Sequence, residues 1–149
     1  MEAAKKAGAV VELVAPTIGG VTATDGALRP VRGQVDGTPS VLFDAVVVIP
    51  GEQGAVELST YAPALDFLRD AHAHCKFIAL GPDAGELLSA AGLADLVDGG
   101  YVALDGKPAT TTASFIASCA DLRFWDREPT VNWRRTVAAS SGYSVLVWQ

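Results

Sequence analysis

Three short apolar runs, each cut off by a backbone breaker, constrain this chain more than any other feature. They are residues 45–49 (Ala-Val-Val-Val-Ile), 77–80 (Phe-Ile-Ala-Leu) and 101–104 (Tyr-Val-Ala-Leu). A run with no polar alternation is what a parallel strand covered on both faces looks like. Pro50-Gly51 ends the first and Gly81-Pro82 the second. A helix is predicted from about Thr60, with Pro63 tolerated in its first turn and a stripe of Tyr61, Leu65, Leu68 and His72 beside Ala64 and Ala71. Asp83 with Glu86 three residues on reads as a capping box for the next helix; Leu87, Leu88 and Ala91 form its apolar face and Gly92 stops it. Thr110, Thr111 or Thr112 caps a last helix, striped with Phe115, Ile116, Cys119 and Leu122. This alternation predicts an α/β fold: an open, doubly wound parallel sheet in three layers, with helices on both faces.

The flanks are less regular. Residues 2–7 read as the last turns of a helix, with Lys5 and Lys6 at the negative end of its dipole and Gly8 at its left-handed stop. No start signal precedes them, so the chain is expected to open inside an element. Residues 10–15 read as a strand stopped by Pro16. Residues 21–31 read as a small antiparallel hairpin around a two-residue Asp25-Gly26 turn, with Pro30 marking an edge. Residues 136–142 are small and polar like a linker, and residues 143–148 (Tyr-Ser-Val-Leu-Val-Trp) read as a further strand.

Composition narrows the class. Half of the 149 residues are hydrophobic and 19% are charged, with mean hydropathy +0.29, which excludes a disordered chain and fits one compact domain. The net charge of −6 and pI of about 4.7 argue against a nucleic-acid partner and against an anionic membrane surface. Lys5-Lys6 and Arg134-Arg135 are pairs, not patches. No stretch approaches the ~20 apolar residues that span a bilayer, and the first residues lack the pattern of a signal peptide. Cys75 and Cys119 form no C-x-x-C and read as buried free thiols, which fits a reducing, cytoplasmic compartment.

Chemistry is expected at the carboxyl ends of the strands. Residues 50–54 (Pro-Gly-Glu-Gln-Gly) match no phosphate-binding pattern, and Glu52 would repel an anion, so they read as an ordinary turn. After Leu80 comes the corner where an α/β enzyme would hold an exposed nucleophile, yet its residues are Gly81, Pro82 and Asp83. His72, His74 and Cys75 cluster at the opposite end of that strand, and two histidines two apart diverge on a helix. They read as structural, as does the aromatic cluster Phe124, Trp125 and Trp133.

Residues 8–16, residues 23–26, the Gly-Thr-Pro-Ser-Val-Leu-Phe-Asp-Ala stretch at 37–45, the helix end at 67–74 leading to Lys76, and Phe124-Trp125-Asp126-Arg127-Glu128-Pro129 resemble the C-terminal domain of large-subunit catalases. The resemblance covers about residues 3–133, leaving 134–149 as an extra tail. It implies a flavodoxin-like fold related to the ThiJ/PfpI and class I glutamine amidotransferase group. Those enzymes use a cysteine at the corner that here reads Gly81-Pro82. It also implies a parent that disproportionates hydrogen peroxide with haem held in another domain. The expectation is therefore an accessory domain for stability and assembly within a homotetramer, with no catalytic, cofactor-binding or metal-binding residue in this chain and no haem of its own. The alternatives are a ThiJ/PfpI-type hydrolase or glyoxalase acting through Cys75 or Cys119, and a holdase chaperone. In the family a strand precedes the first helix. The segment at 143–148 is expected to take that place, within the chain or by self-association with a neighbour.

Overall fold

The computed structural model describes residues 1–23, 25–104 and 108–132, and only the backbone of 108 and 109. The tail at 134–149, its expected strand at 143–148 and Trp133 lie outside the described residues. Helix α1 (Glu2–Lys6) is followed by four two-residue strands, β1 (Val14–Ala15), β2 (Val21–Thr22), β3 (Leu28–Arg29) and β4 (Gly33–Gln34). The main body comprises β5 (Ala45–Val48), α2 (Glu52–Ser59), α3 (Ala62–Ala73), β6 (Phe77–Leu80), α4 (Gly85–Ala90), β7 (Tyr101–Ala103), α5 (Pro108–Ser118) and α6 (Glu128–Val131).

The three apolar runs form one parallel sheet in the order β5-β6-β7. Its strands alternate faces as the two-residue period requires. Val46 and Ile78 pack with Ala71 of α3, bordered by Val48, Leu80 and Tyr101. Phe77 and Ala79 pack with Phe115 of α5 on the other face, bordered by Ala45, Val102, Cys119 and Phe124. Leu68 and Ala64 of α3 join Leu87, Leu88 and Ala91 of α4 in a further core cluster. Helices thus cover both faces, as the alternation predicts. β1 pairs with β4 in parallel as a separate two-stranded sheet, and β2 pairs with β3 as the predicted antiparallel hairpin.

Several local expectations are corrected. The strand predicted at 10–15 shrinks to Val14–Ala15, and Val10 is 89% exposed. The hairpin turn is longer than two residues, because Ala23 N–H donates to Ala27 O across it, with Gly26 at φ +77°. The stretch at 50–54 is no simple turn: Gly51 caps α2, a helix the sequence reading missed because Gly54 weakens its pattern. Asp83 makes no capping box. Pro82 starts a 3₁₀ turn over Pro82–Ala84, so Asp83 already lies inside a turn when α4 begins. The helix α5 starts at Pro108, which puts Thr110, Thr111 and Thr112 within it, not before it. Leu122 falls beyond its end and is exposed. The run at 45–49 is only partly covered on the α5 face: Ala45 packs there, but Val47 is 49% and Ile49 68% exposed. Cys119 is half-buried, not fully buried.

The glycine stops behave as read. Gly8 (φ +88°) and Gly92 (φ +71°) close α1 and α4 with paired bonds to the last turn: Gly8 N–H to Lys5 O and Ala9 N–H to Ala4 O, then Gly92 N–H to Ser89 O and Leu93 N–H to Leu88 O. α3 ends with the same pair of bonds, Cys75 N–H to His72 O and Lys76 N–H to Ala71 O. There the left-handed position carries Cys75, at φ +55°.

A buried arginine ties the C-terminal segment to this sheet. Arg127 Nε and Nη2 donate to the two Asp98 carboxylate oxygens at 2.7 Å, and its Nη1 donates to the carbonyls of Lys76 (2.8 Å) and His72 (3.4 Å). Its guanidinium also lies over the rings of Tyr101 and Phe124. Gly100 makes room for it: a Cβ there would strike the guanidinium and stand 2.8 Å from Phe124. Arg127→Met is expected to lower the unfolding free energy by about 2–3 kcal/mol, because buried carbonyls lose their donor while Asp98, 29% exposed, recovers part of its hydration. Gly100→Ala should cost about 1–3 kcal/mol by displacing the same group. Urea denaturation followed by circular dichroism measures both; a loss below about 1 kcal/mol for Arg127→Met, the size of an exposed pair, would show that the contact does not hold the segment down.

Candidate functional site

Among the described residues, the corner after β6 at the carboxyl end of the sheet holds no nucleophile. Gly81 follows β6, is buried, and donates its N–H to Val48 O at 2.7 Å. Its φ of −68° and ψ of 166° are ordinary extended values. A strained strand-to-helix elbow is therefore absent at this corner. A Cβ at position 81 would stand 3.3 Å from Val48 O and 3.4 Å from Ile49, a tight fit against the end of β5. Glu52 and Asp83 at this end are both exposed.

Polar chemistry gathers instead at the amino end and is consumed internally. His72 is buried, and its Nδ1 meets the Tyr101 hydroxyl at 2.8 Å. Burial, aided by the Arg127 charge and opposed by Asp98, lowers the His72 pKa below 6.5. The ring is therefore neutral near pH 7, and its Nδ1 shares a hydrogen bond with the Tyr101 hydroxyl. Burial pushes the Tyr101 hydroxyl up to about 12. Burial works to raise the Asp98 carboxyl, but the hydrogen bonds from Arg127 and from Gly100 N–H, with the Arg127 charge, hold it below its ordinary value. Lys76 is fully buried and donates its ammonium to Phe43 O. Burial, and then the nearby Arg123 charge, lower its pKa.

Both thiols lie away from the corner. Cys75 sits in the left-handed stop of α3 with only 4% exposure, and burial raises its pKa. Cys119 packs against the α5 face, and burial raises it too. Reactive cysteines have the opposite shift. His74 and Cys75 adjoin Arg123, Trp125 and Asn132 in one hollow, but His72 turns away to Tyr101. Ser40, Asp70 and His74 come together unexpectedly: Ser40 Oγ donates to Asp70 Oδ2 at 2.7 Å, and His74 Nδ1 lies 3.2 Å from Asp70 Oδ1. The carboxylate stands between hydroxyl and imidazole, so the imidazole does not reach the serine, and this is not a nucleophile–base–orienter order. Among the described residues no group of three or more His, Cys, Asp or Glu could hold a metal ion. No helix there is long and apolar enough to cross a membrane.

Sequence reasoning singled out His72, His74 and Cys75 but missed the roles of Asp98, Tyr101 and Arg127. Their partners lie 29 to 55 residues away, so no local spacing links them. The one available signal was an arginine embedded in an aromatic segment. His72 makes this network pH-sensitive. Its folded pKa lies below its unfolded value, so the unfolded chain binds the extra proton and stability falls as pH drops below 6.5. The fall should not exceed about 1.4 kcal/mol per pH unit, the limit for one proton. Denaturation midpoints between pH 7 and pH 5 should decline in the native chain and flatten in His72→Gln; equal slopes would assign the decline to other groups.

The comparisons match this architecture. The crystal structure of a cysteine-to-alanine mutant of a DJ-1 superfamily protein from Salmonella typhimurium superimposes with a TM-score of 0.63 at 20% identity, covering 95% of this chain and 89% of that one. That likeness shows the fold, a flavodoxin-like α/β arrangement. Catalase C of Rhizobium meliloti is 43% identical over 129 residues, covering 87% of this chain and 18% of that protein. Catalase HPII of Pseudomonas putida is 33% identical over 116 residues, covering 78% of this chain and 15% of that protein. The chain thus spans less than a fifth of the length of these two relatives. The family described as the C-terminal domain found in long catalases matches residues 1–129. By that match, and by the fold and the relatives that agree with it, this chain belongs to the family of C-terminal domains of long catalases.

Proposed function

We propose that this chain is a non-catalytic accessory domain that contributes stability and assembly to a haem catalase, whose parent protein disproportionates hydrogen peroxide within a homotetramer. One observation carries the reading. The corner after β6 offers Gly81 packed on Val48 and Ile49, while the buried side chains Lys76, His72 and Arg127 and the half-buried Asp98 are all engaged in internal bonds. A domain arranged this way has surfaces to offer but, among the described residues, no nucleophile at that corner. Haem and the peroxide chemistry belong, in this proposal, to the rest of the parent. The two free cysteines suit a reducing, cytoplasmic setting.

The cysteine-hydrolase reading requires a low-pKa, accessible thiol, and burial raises both thiols here. The proposal predicts two outcomes for the full chain. Iodoacetamide at pH 7 should label Cys75 and Cys119 more slowly than a free thiol. Added haem should give no Soret shift and no peroxide decay beyond that of free haem. Fast labelling of one cysteine would revive the hydrolase reading, and a saturable Soret shift would place a haem site in this chain.

A further inference from the structure

The sheet has an open edge. Among the described residues β5 pairs with β6 alone, and its other side meets no strand. The register fixes which groups are spent. Val48 O accepts from Gly81 N–H, so Val46 and Val48 turn their backbone groups toward β6. Ala45 and Val47 alternate with them and turn theirs outward. The face of β5 that carries Val47 is open as well, since Val47 is 49% and Ile49 68% exposed. A long apolar edge of this kind is a template for another strand.

We propose that residues 143–148 of this chain occupy that edge, adding a parallel strand beside β5. The exit point of the described chain supports this occupant. Asn132 lines one hollow with His74, Cys75 and Arg123, at the amino end of β6. Arg123 Nη1 also donates to Asp44 O, immediately before β5. The described chain therefore ends at the amino end of the sheet, next to β6 and one strand from β5. Ten residues separate Asn132 from Tyr143. Extended, they reach at most about 33–36 Å, whereas the open position lies about 5 Å beyond β5. A segment entering there and running along the edge pairs in parallel. Tyr143, Val145, Leu146, Val147 and Trp148 supply the β-branched and aromatic side chains that suit a buried strand. A tether this short also gives the segment an effective concentration of order millimolar, well above that of a second copy in dilute solution.

Amide hydrogen exchange by NMR on the full 149-residue chain tests this. The Val47 amide should exchange at least ~100-fold more slowly than a free amide, as a bonded strand amide does, and cross-strand NOEs should link residues 45–49 to 143–148. Val145→Pro, or a chain ending at residue 142, should lose the Val47 protection while Ile78 and Ala79 in β6 keep theirs. If a variant unfolds, the NOEs of the full chain decide alone. Free exchange at Val47 and missing NOEs in the full chain would overturn the proposal. So would protection that survives both variants. Protection that fades on dilution as a dimer dissociates would give the edge to a second copy and overturn the own-chain occupant.

Discussion

The bidentate contact between Arg127 and Asp98 holds the amino end of this domain together. A guanidinium this deeply buried is tolerable only when its charge and its donors are matched. Asp98 supplies the charge, the carbonyls of Lys76 and His72 take a third nitrogen, and two aromatic rings flank the plane. The consequences spread outward. Gly100 must lack a side chain, Phe124 must lie against Phe77, and the segment after α5 must fold back under β6, where Phe124 N–H reaches Cys75 O at 2.7 Å. Lysine could not replace this arginine, because a single ammonium lacks the planar fork that grips both Asp98 oxygens while a third nitrogen reaches the carbonyls beyond.

That arrangement also decides what the domain can do. The fold it shares with a DJ-1 superfamily protein places a corner after its central strand, and this chain spends that corner on close packing of Gly81 against β5. The polar groups that survive in the interior satisfy one another, and no buried side-chain nitrogen or oxygen among the described residues lacks a partner. An interior of this type stores stability and a fixed shape. Its cysteines follow the same logic: Cys75 serves as the left-handed end of α3, a place where glycine is usual.

Much of this was legible in the sequence because it is local. The apolar runs, the Gly8 and Gly92 stops, the hairpin and the α3 stripe, whose Leu68 and His72 with Ala64 and Ala71 are buried, all follow from periodicity and backbone preference. The missing nucleophile after Leu80 was equally plain. What escaped depends on distant partners or on competing local signals. Asp83 has the residue type of a cap, but Pro82 had already begun the turn. Gly54 disguised α2. The exposure of Val47 and Ile49 arises from what lies beside β5, which no run of apolar residues reveals. The role of Arg127 escaped too, because its partners lie far away along the chain.

The central claim is that this domain lends stability and assembly to its parent without sharing in the chemistry. It is tested most directly in a long catalase that carries this domain, compared with the same protein lacking it. Turnover per bound haem and the thermal dissociation of the tetramer are measured on both. The account predicts unchanged turnover per haem and a lower dissociation temperature once the domain is removed. Turnover that collapses while haem content and the tetramer stay intact would contradict it.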